Sequence, residues 1–389
     1  IIRQHSDFIQ WPIEIDEERA NQESALWTRS PNEISEEDYS AFYKHISHDW
    51  NDPITTVHAR VEGNLTFDAL LFIPSQRSWQ LDQIDHKVGL RLYQKRVKVI
   101  ENAGDLLPRY LRFVCGVVDT PDVNLNISRE ILQQTPTVRA IKRQLTKRIL
   151  KKLGKLASEQ PEAYSLFWAQ FGHVLKEGIQ EDPDNRTLII ELLRFKTTRP
   201  VDELPTSEDI EPVADETRAW RSLATIKANM GTKQENLWYL TDVNLDRIER
   251  SPMLERFRAQ NIEVMLLTDP VDEWVMMHVQ TYEDTPLKSA AHGELPPMDE
   301  DGEDPISEAA NTQATPLAKW MSELLNDEVA EVRVSKRLTD SPSVLVNQQG
   351  AMGANMERIL AAAQQSVDKQ QRVLEINPDH PMVQTLARL

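Results

Sequence analysis

The sequence predicts an α/β (α+β) protein made of several domains. Helix-like and strand-like hydrophobic periods interleave along the chain. At 389 residues it is too long for one ordinary core. Two acidic, proline-bearing stretches, 198–217 and 283–316, break the periodic pattern.

The first region, 1–135, mixes both periods. Residues 34–50 carry Tyr39, Phe42, Tyr43 and Ile46 at helical spacing. Residues 57–73 alternate on both sides of Glu62-Gly63-Asn64 and predict a hairpin, and single strands are expected at 89–99 and 110–118. The pattern then changes to a helical connector, 136–195. Its long helix, 137–157, has Val138, Ile141, Leu145, Ile149, Leu153 and Leu156 on one stripe. A shorter helix, 164–176, follows. Residues 196–285 form a second mixed region, in which 237–241, a helix over 245–259 and 262–268 make a parallel βαβ unit. Asp269-Pro270 caps the next helix, with Pro270 at its first position. The stretch 283–316 holds nine acids, one lysine and five prolines, so 286–316 is expected to be a linker. The last region, 317–389, should contain a helix from Leu317, strands near 331–335 and 343–346, and a helix near 352–365.

Composition narrows the function. With 44 basic against 62 acidic residues the net charge is −18, a field that repels phosphate backbones and anionic lipid. Neither nucleic acid nor membrane is therefore an expected partner, and no apolar run has the length that crosses a bilayer. Cys115 is the only cysteine, which excludes an intrachain disulfide and fits a reducing cytoplasm. A chain opening on Ile1-Ile2-Arg3 reads as part of a longer protein.

Searches for chemistry are mostly negative. No GxGxxG, GxxxxGK[ST] or GxSxG occurs, so the common phosphate cradles and the serine elbow are absent. His45 and His48, with Asp49 beside them, have zinc-compatible spacing but no third ligand at a recognisable distance, so no metal is expected. Cys115 sits in an apolar strand pattern and reads as a small buried hydrophobe. Arg139, Lys142, Arg143, Lys147, Arg148, Lys151, Lys152 and Lys155 line the outer faces of the long helix without an acid between them. A solvated face outweighs a nucleic-acid patch there, because no aromatic residues are interleaved. The segment 121–134 (PDVNLNISREILQQ) is more specific. Ser128 can cap a helix that starts with Arg129, a cation at the positive end of the dipole. Either Arg129 pairs with a nearby acid such as Glu130, or it reaches a phosphate.

That segment resembles the middle-domain catalytic loop of the heat-shock-protein-90 family. Other segments are similar in family order: 25–29 (ALWTR), 36–53 (EEDYSAFYKHISHDWNDP), 70–76 (LLFIPSQ), 110–119 (YLRFVCGVVD), 271–277 (VDEWVMM), 337–342 (RLTDSP) and 375–381 (EINPDHP). The bacterial form is favoured, since the linker is modest and no acidic tail is present. Departures are Cys115, where a basic residue is expected, and the 198–217 stretch.

The resemblance implies a middle region of αβα layers, with two α/β subdomains joined by a helical coil, and a smaller, partial α+β dimerisation domain. It implies a chaperone that binds unfolded clients and is coupled to ATP and Mg2+ held by an N-terminal domain outside this chain. In that role Arg129 would reach the γ-phosphate, with Gln133 in support, and the chain alone would be catalytically silent. Client contacts are implied at Trp27, Glu273, Trp274, Met277, Met352, Met356, Ile359 and Leu360, and Trp274, Met352, Met356 and Leu360 are expected to be exposed. Homodimerisation, co-chaperones and a cytoplasmic location complete the expectation. Two rivals remain: a non-enzymatic interaction scaffold, and a nucleic-acid binder using the 139–155 helix.

Overall fold

The computed structural model describes residues 7–9, 11–16, 18–19, 21, 25–63, 65–83, 89–122, 135–199, 220–292, 295, 308–348, 351, 353–362 and 370–388. The chain is mixed α/β throughout and divides into two compact units, Ile1–Leu192 and Leu193–Leu389.

The first unit opens with a short antiparallel pair, β1 (Glu14–Ile15) and β2 (Glu18–Arg19). Helix α1 (Glu36–Ser47) begins at Ser35, which forms a reciprocal capping box with Asp38. Acids fill its first turn and Lys44 and His45 its last, matching the helix dipole. Its apolar face, Tyr39, Phe42, Tyr43 and Ile46, is buried against a five-stranded sheet. The sheet comprises β3 (Thr55–Val61), β4 (Phe67–Ile73), β5 (Leu90–Gln94), β6 (Val97–Ile100) and β7 (Cys115–Asp119), in the order β3-β4-β7-β5-β6. Only β5 and β7 are parallel. On β4, Leu70 and Phe72 face α1, while Ala69, Leu71 and Ile73 on the alternate face are also buried. Layers therefore cover both sides. Long helix α2 (Pro136–Glu159) touches β3 and packs on α3 (Pro161–Lys176), with α4 (Gly178–Glu181) and α5 (Arg186–Leu192) beside them.

Gly116 joins β7 to β4. At φ +143° a side chain is strained, and a Cβ there would lie 2.2 Å from the Leu70 carbonyl oxygen.

Two strand expectations change. The expected 89–99 strand is a hairpin, because Lys95 and Arg96 both take positive φ (50° and 69°) and reverse the chain. The sequence lacks the Asn-Gly signal that normally announces such a turn. In the expected 110–118 strand, 109–111 is a 3-10 turn following Pro108 and the strand starts only at Cys115.

The second unit holds two sheets. Strands β8 (Lys196–Thr197), β9 (Leu237–Thr241), β10 (Val264–Leu267), β11 (Thr281–Tyr282) and β12 (Thr285–Ser289) order as β11-β12-β9-β10-β8. The pair β9 and β10 is parallel, as the βαβ reading requires. Helix α6 (Leu223–Ala228) precedes β9. The expected 245–259 helix is two short ones, α7 (Leu245–Glu249) and α8 (Glu255–Ala259), because Ser251-Pro252 imposes a 3-10 turn between them. Helix α9 (Asp272–His278) starts two residues after Pro270, which sits in the preceding turn; the Asp269 N–H donates to the Asp272 carboxylate at 3.0 Å.

The 283–316 stretch is more ordered at its ends than a linker. Strand β12 lies within it and pairs in parallel with β9, and helix α10 (Glu308–Leu324) runs through Pro316. Beyond it, β13 (Val329–Val334), β14 (Ser343–Val346) and β15 (Arg372–Ile376) form the second sheet in the order β13-β15-β14, accompanied by α11 (Ala354–Ala362) and α12 (Pro381–Arg388).

Buried polar groups join the two sheets of this unit. Arg337 is 0% exposed and donates to Glu375 at 2.9 Å and to the carbonyls of Ala290 and His292 at 2.7 and 2.8 Å. The Glu255 carboxylate accepts the backbone N–H groups of Thr339, Asp340 and Ser341 at 2.7, 2.9 and 3.1 Å. Desolvation would raise that carboxyl, but these hydrogen bonds outweigh it and hold Glu255 below its ordinary range.

Candidate functional site

Arg129 and Gln133 fall outside the described residues, but the ends of their segment are anchored. Strand β7 ends at Asp119, which is buried and accepts the Trp27 indole N–H and the Arg96 backbone N–H, both at 3.0 Å. Next along the chain, the Thr120 hydroxyl donates to the Thr66 carbonyl and the Thr66 N–H to Asp122. On the return side, Thr135 caps α2 by accepting from Val138 N–H.

This arrangement corrects the expectation for Trp27. It is 1% exposed, surrounded by Phe8, Phe42 and Tyr93, and its carbonyl accepts from His58. Because His58 Nε2 must donate to that carbonyl, its Nδ1 accepts from the Tyr39 hydroxyl at 2.8 Å. Trp27 therefore braces the foot of the Arg129 segment and presents no surface to a partner.

The second set of residues converges in the second unit. Helix α9 buries Asp272, Val275 and Met276, leaves Glu273 and Trp274 partly covered, and exposes Met277 at 56%. Met276 is buried beside Asp272 and Val275, so this seven-residue helix is covered along more than one side. Helix α11 approaches at its N-terminal end. A methyl placed on Gly353 would meet both Glu273 carboxylate oxygens at 3.9 Å and Asn347 Nδ2 at 4.0 Å. Ile359 and Leu360 are half-buried, whereas Met356 is only 6% exposed, against expectation. The Glu357–Arg372 ion pair at 3.1 Å ties α11 to β15. Met352 lies outside the described residues.

Two described residues of the polar run before α11 are held by hydrogen bonds or receive them. Asn347 is buried and its N–H donates to the Ala291 carbonyl at 3.0 Å, and His292 Nε2 donates to the Ala351 carbonyl at 3.2 Å. Glu273 Oε1 is buried without a hydrogen-bond partner among the described residues. Tyr239, first through desolvation and then through the charge on Glu273, has its phenol pushed up to about 12.

The remaining candidates behave as side chains of structure. His48 is the left-handed C-cap of α1 and is off the helix that His45 occupies. Cys115 is buried, and desolvation pushes its thiol up to about 12, which makes it unreactive. On α2, Arg139, Arg143, Lys147, Arg148, Lys151 and Lys155 are exposed, and Lys155 pairs with Glu159 at 3.6 Å.

Residues 13–389 match the family model described as Hsp90 protein. The chain belongs to the Hsp90 family. It is 42% identical to the chaperone protein HtpG of Burkholderia lata over 99% of this chain and 62% of that protein. To the HtpG of Halorhodospira halophila it is 41% identical, covering 100% of the chain and 62% of the relative, and to that of Rhodococcus jostii 39%, covering 98% and 60%. This Hsp90-family chain thus spans about three fifths of the length of the curated relatives it matches. Sequence reasoning missed two features of the family member described here. Glu255 and Arg337 gave no signal as a joint between sheets, because their partners are mostly backbone groups.

Proposed function

We propose that this chain is the client-holding and phosphate-sensing part of an Hsp90-type molecular chaperone. It binds unfolded or partly folded polypeptides on the surface made by α9 and α11 and couples that binding to ATP hydrolysis in a domain outside it. The observation that carries the reading is the meeting of Glu273 with the start of α11 beside exposed Met277, in a chain whose relatives are named as chaperones. Methionine suits varied partners because its side chain is flexible and polarizable. Half-buried Trp274, Ile359 and Leu360 supply apolar area, Met352 is carried as a sequence-based member of the same set, and Met356 and Trp27 act from the core.

ATP coupling rests on Arg129 as a finger to the γ-phosphate, held by Gln133. Among the described residues no group of three or more His, Cys, Asp or Glu gathers as a metal set, and the sequence has no phosphate cradle. In the working form, 1–135 and 196–285 act as subdomains about the 136–195 connector, and 317–389 contributes to a cytoplasmic homodimer addressed by co-chaperones.

The test is binding of a permanently unfolded, fluorescently labelled polypeptide to the chain. Met277→Ala combined with Leu360→Ala should weaken binding several-fold. Undiminished affinity in that variant would move the client site elsewhere.

A further inference from the structure

A cavity of about 680 Å³ opens in the second unit beside the α9–α11 surface. Asn347 lines it and also lies close to Gly353, which in turn neighbours Glu273, so the cavity lies near the proposed client surface. Apolar groups, among them Leu240, Met253 and Leu345, contribute to its wall. Four arginines line it as well, and their electrostatic states differ. Arg247 pairs with Asp242 at 3.1 Å and Arg372 with Glu357 at 3.1 Å. Arg250 and Arg358 have no acidic partner among the described residues, and both are exposed. Asp242 and Asp246 also line the cavity, so its four guanidiniums outnumber its carboxylates two to one and the wall is net positive in a chain of net charge −18.

We propose that this cavity is an anion-reading subsite of the client surface: it takes an Asp or Glu side chain that neighbours apolar residues in the bound polypeptide. The inference rests on the client reading above and narrows it to a class of segment. Two features select that occupant. The planar fork of arginine matches a carboxylate in two parallel hydrogen bonds. The apolar part of the wall favours a carboxylate carried on a hydrophobic segment over a free inorganic anion.

The experiment uses the 389-residue chain and fluorescein-labelled peptides that share one apolar core but are flanked by aspartate, asparagine or lysine. At low salt the aspartate peptide should bind about three- to tenfold more tightly than the asparagine peptide, with the preference fading as salt rises. In the Arg250→Gln/Arg358→Gln double variant that preference should vanish while the asparagine peptide binds as before. A preference that survives in the double variant, or a wild-type chain that does not discriminate, overturns the subsite and leaves the client surface standing. Saturable binding of inorganic pyrophosphate without any peptide preference also overturns it. If none of the peptides binds, the client reading fails, and this one with it.

Discussion

Asp119 holds one of the few buried carboxylates in the first unit, and both of its donors come from residues far away in sequence, Trp27 and Arg96. Trp27→Phe would keep most of the ring packing but remove the indole N–H, leaving Asp119 short of a donor. The expected cost is about 1–3 kcal/mol, read from urea denaturation. A loss of only a few tenths would mean that Asp119 finds another donor and the brace is dispensable. Two methionines make a second contrast. Met356, 6% exposed, should cost about 2–5 kcal/mol on truncation to Ala. Met277, 56% exposed, should change stability by less than about 0.5 kcal/mol while weakening client binding. Paired melting and affinity measurements decide this, and equal stability losses would place both in the core. Periodicity alone could not rank these methionines, since it marks a face without saying what covers it.

At the scale of elements, the joint between the two sheets of the second unit hangs on Glu255 and Arg337. Glu255 has its carboxyl held below the ordinary value of 4.5 in the folded chain. A depressed folded value means the joint's stabilisation is present above about pH 4.5 and is lost as the pH falls through the lowered value. Glu255→Gln should therefore be less stable than wild type at neutral pH, and the gap should shrink below pH 4.5. Urea midpoints at pH 7 and pH 3.5 measure this, and a gap independent of pH would remove Glu255 from the joint. The elements themselves were largely legible where a cap or long period marked them: α1 by its Ser35–Asp38 box, α2 by its stripe, β9 and β10 by short apolar runs. Reversals without a turn signature, at Lys95-Arg96, were not legible, because there tertiary pairing imposes a backbone conformation that local propensity does not favour.

For the whole molecule, the decisive question is whether Arg129 meets nucleotide. In a longer protein that carries a nucleotide-binding domain, Arg129→Ala should cut ATP turnover at least about tenfold with nucleotide affinity nearly unchanged, since arginine fingers act on the transition state. Arg129→Lys should rescue poorly, because an ammonium lacks the planar fork. Wild-type turnover in Arg129→Ala would exclude the residue from the mechanism. The acidic net charge of −18 bears on partners as well: client binding through Arg250 and Arg358 must be salt-sensitive, because the local field opposes the global one.

The sequence by itself determined the α/β class, the order of most elements and, through segments such as 121–134 and 271–277, the Hsp90 family. Periodicity and capping are local, and a run of motifs in order is a one-dimensional pattern, so a chain alone can display both. Only the tertiary structure decided that Trp27 and Met356 are core, that β12 belongs to a sheet, and that Glu273, Asn347 and Gly353 meet. Each of those facts depends on what a distant segment places against a residue. Burial and contact are properties of pairs far apart in the chain, and no spacing within a single segment encodes them.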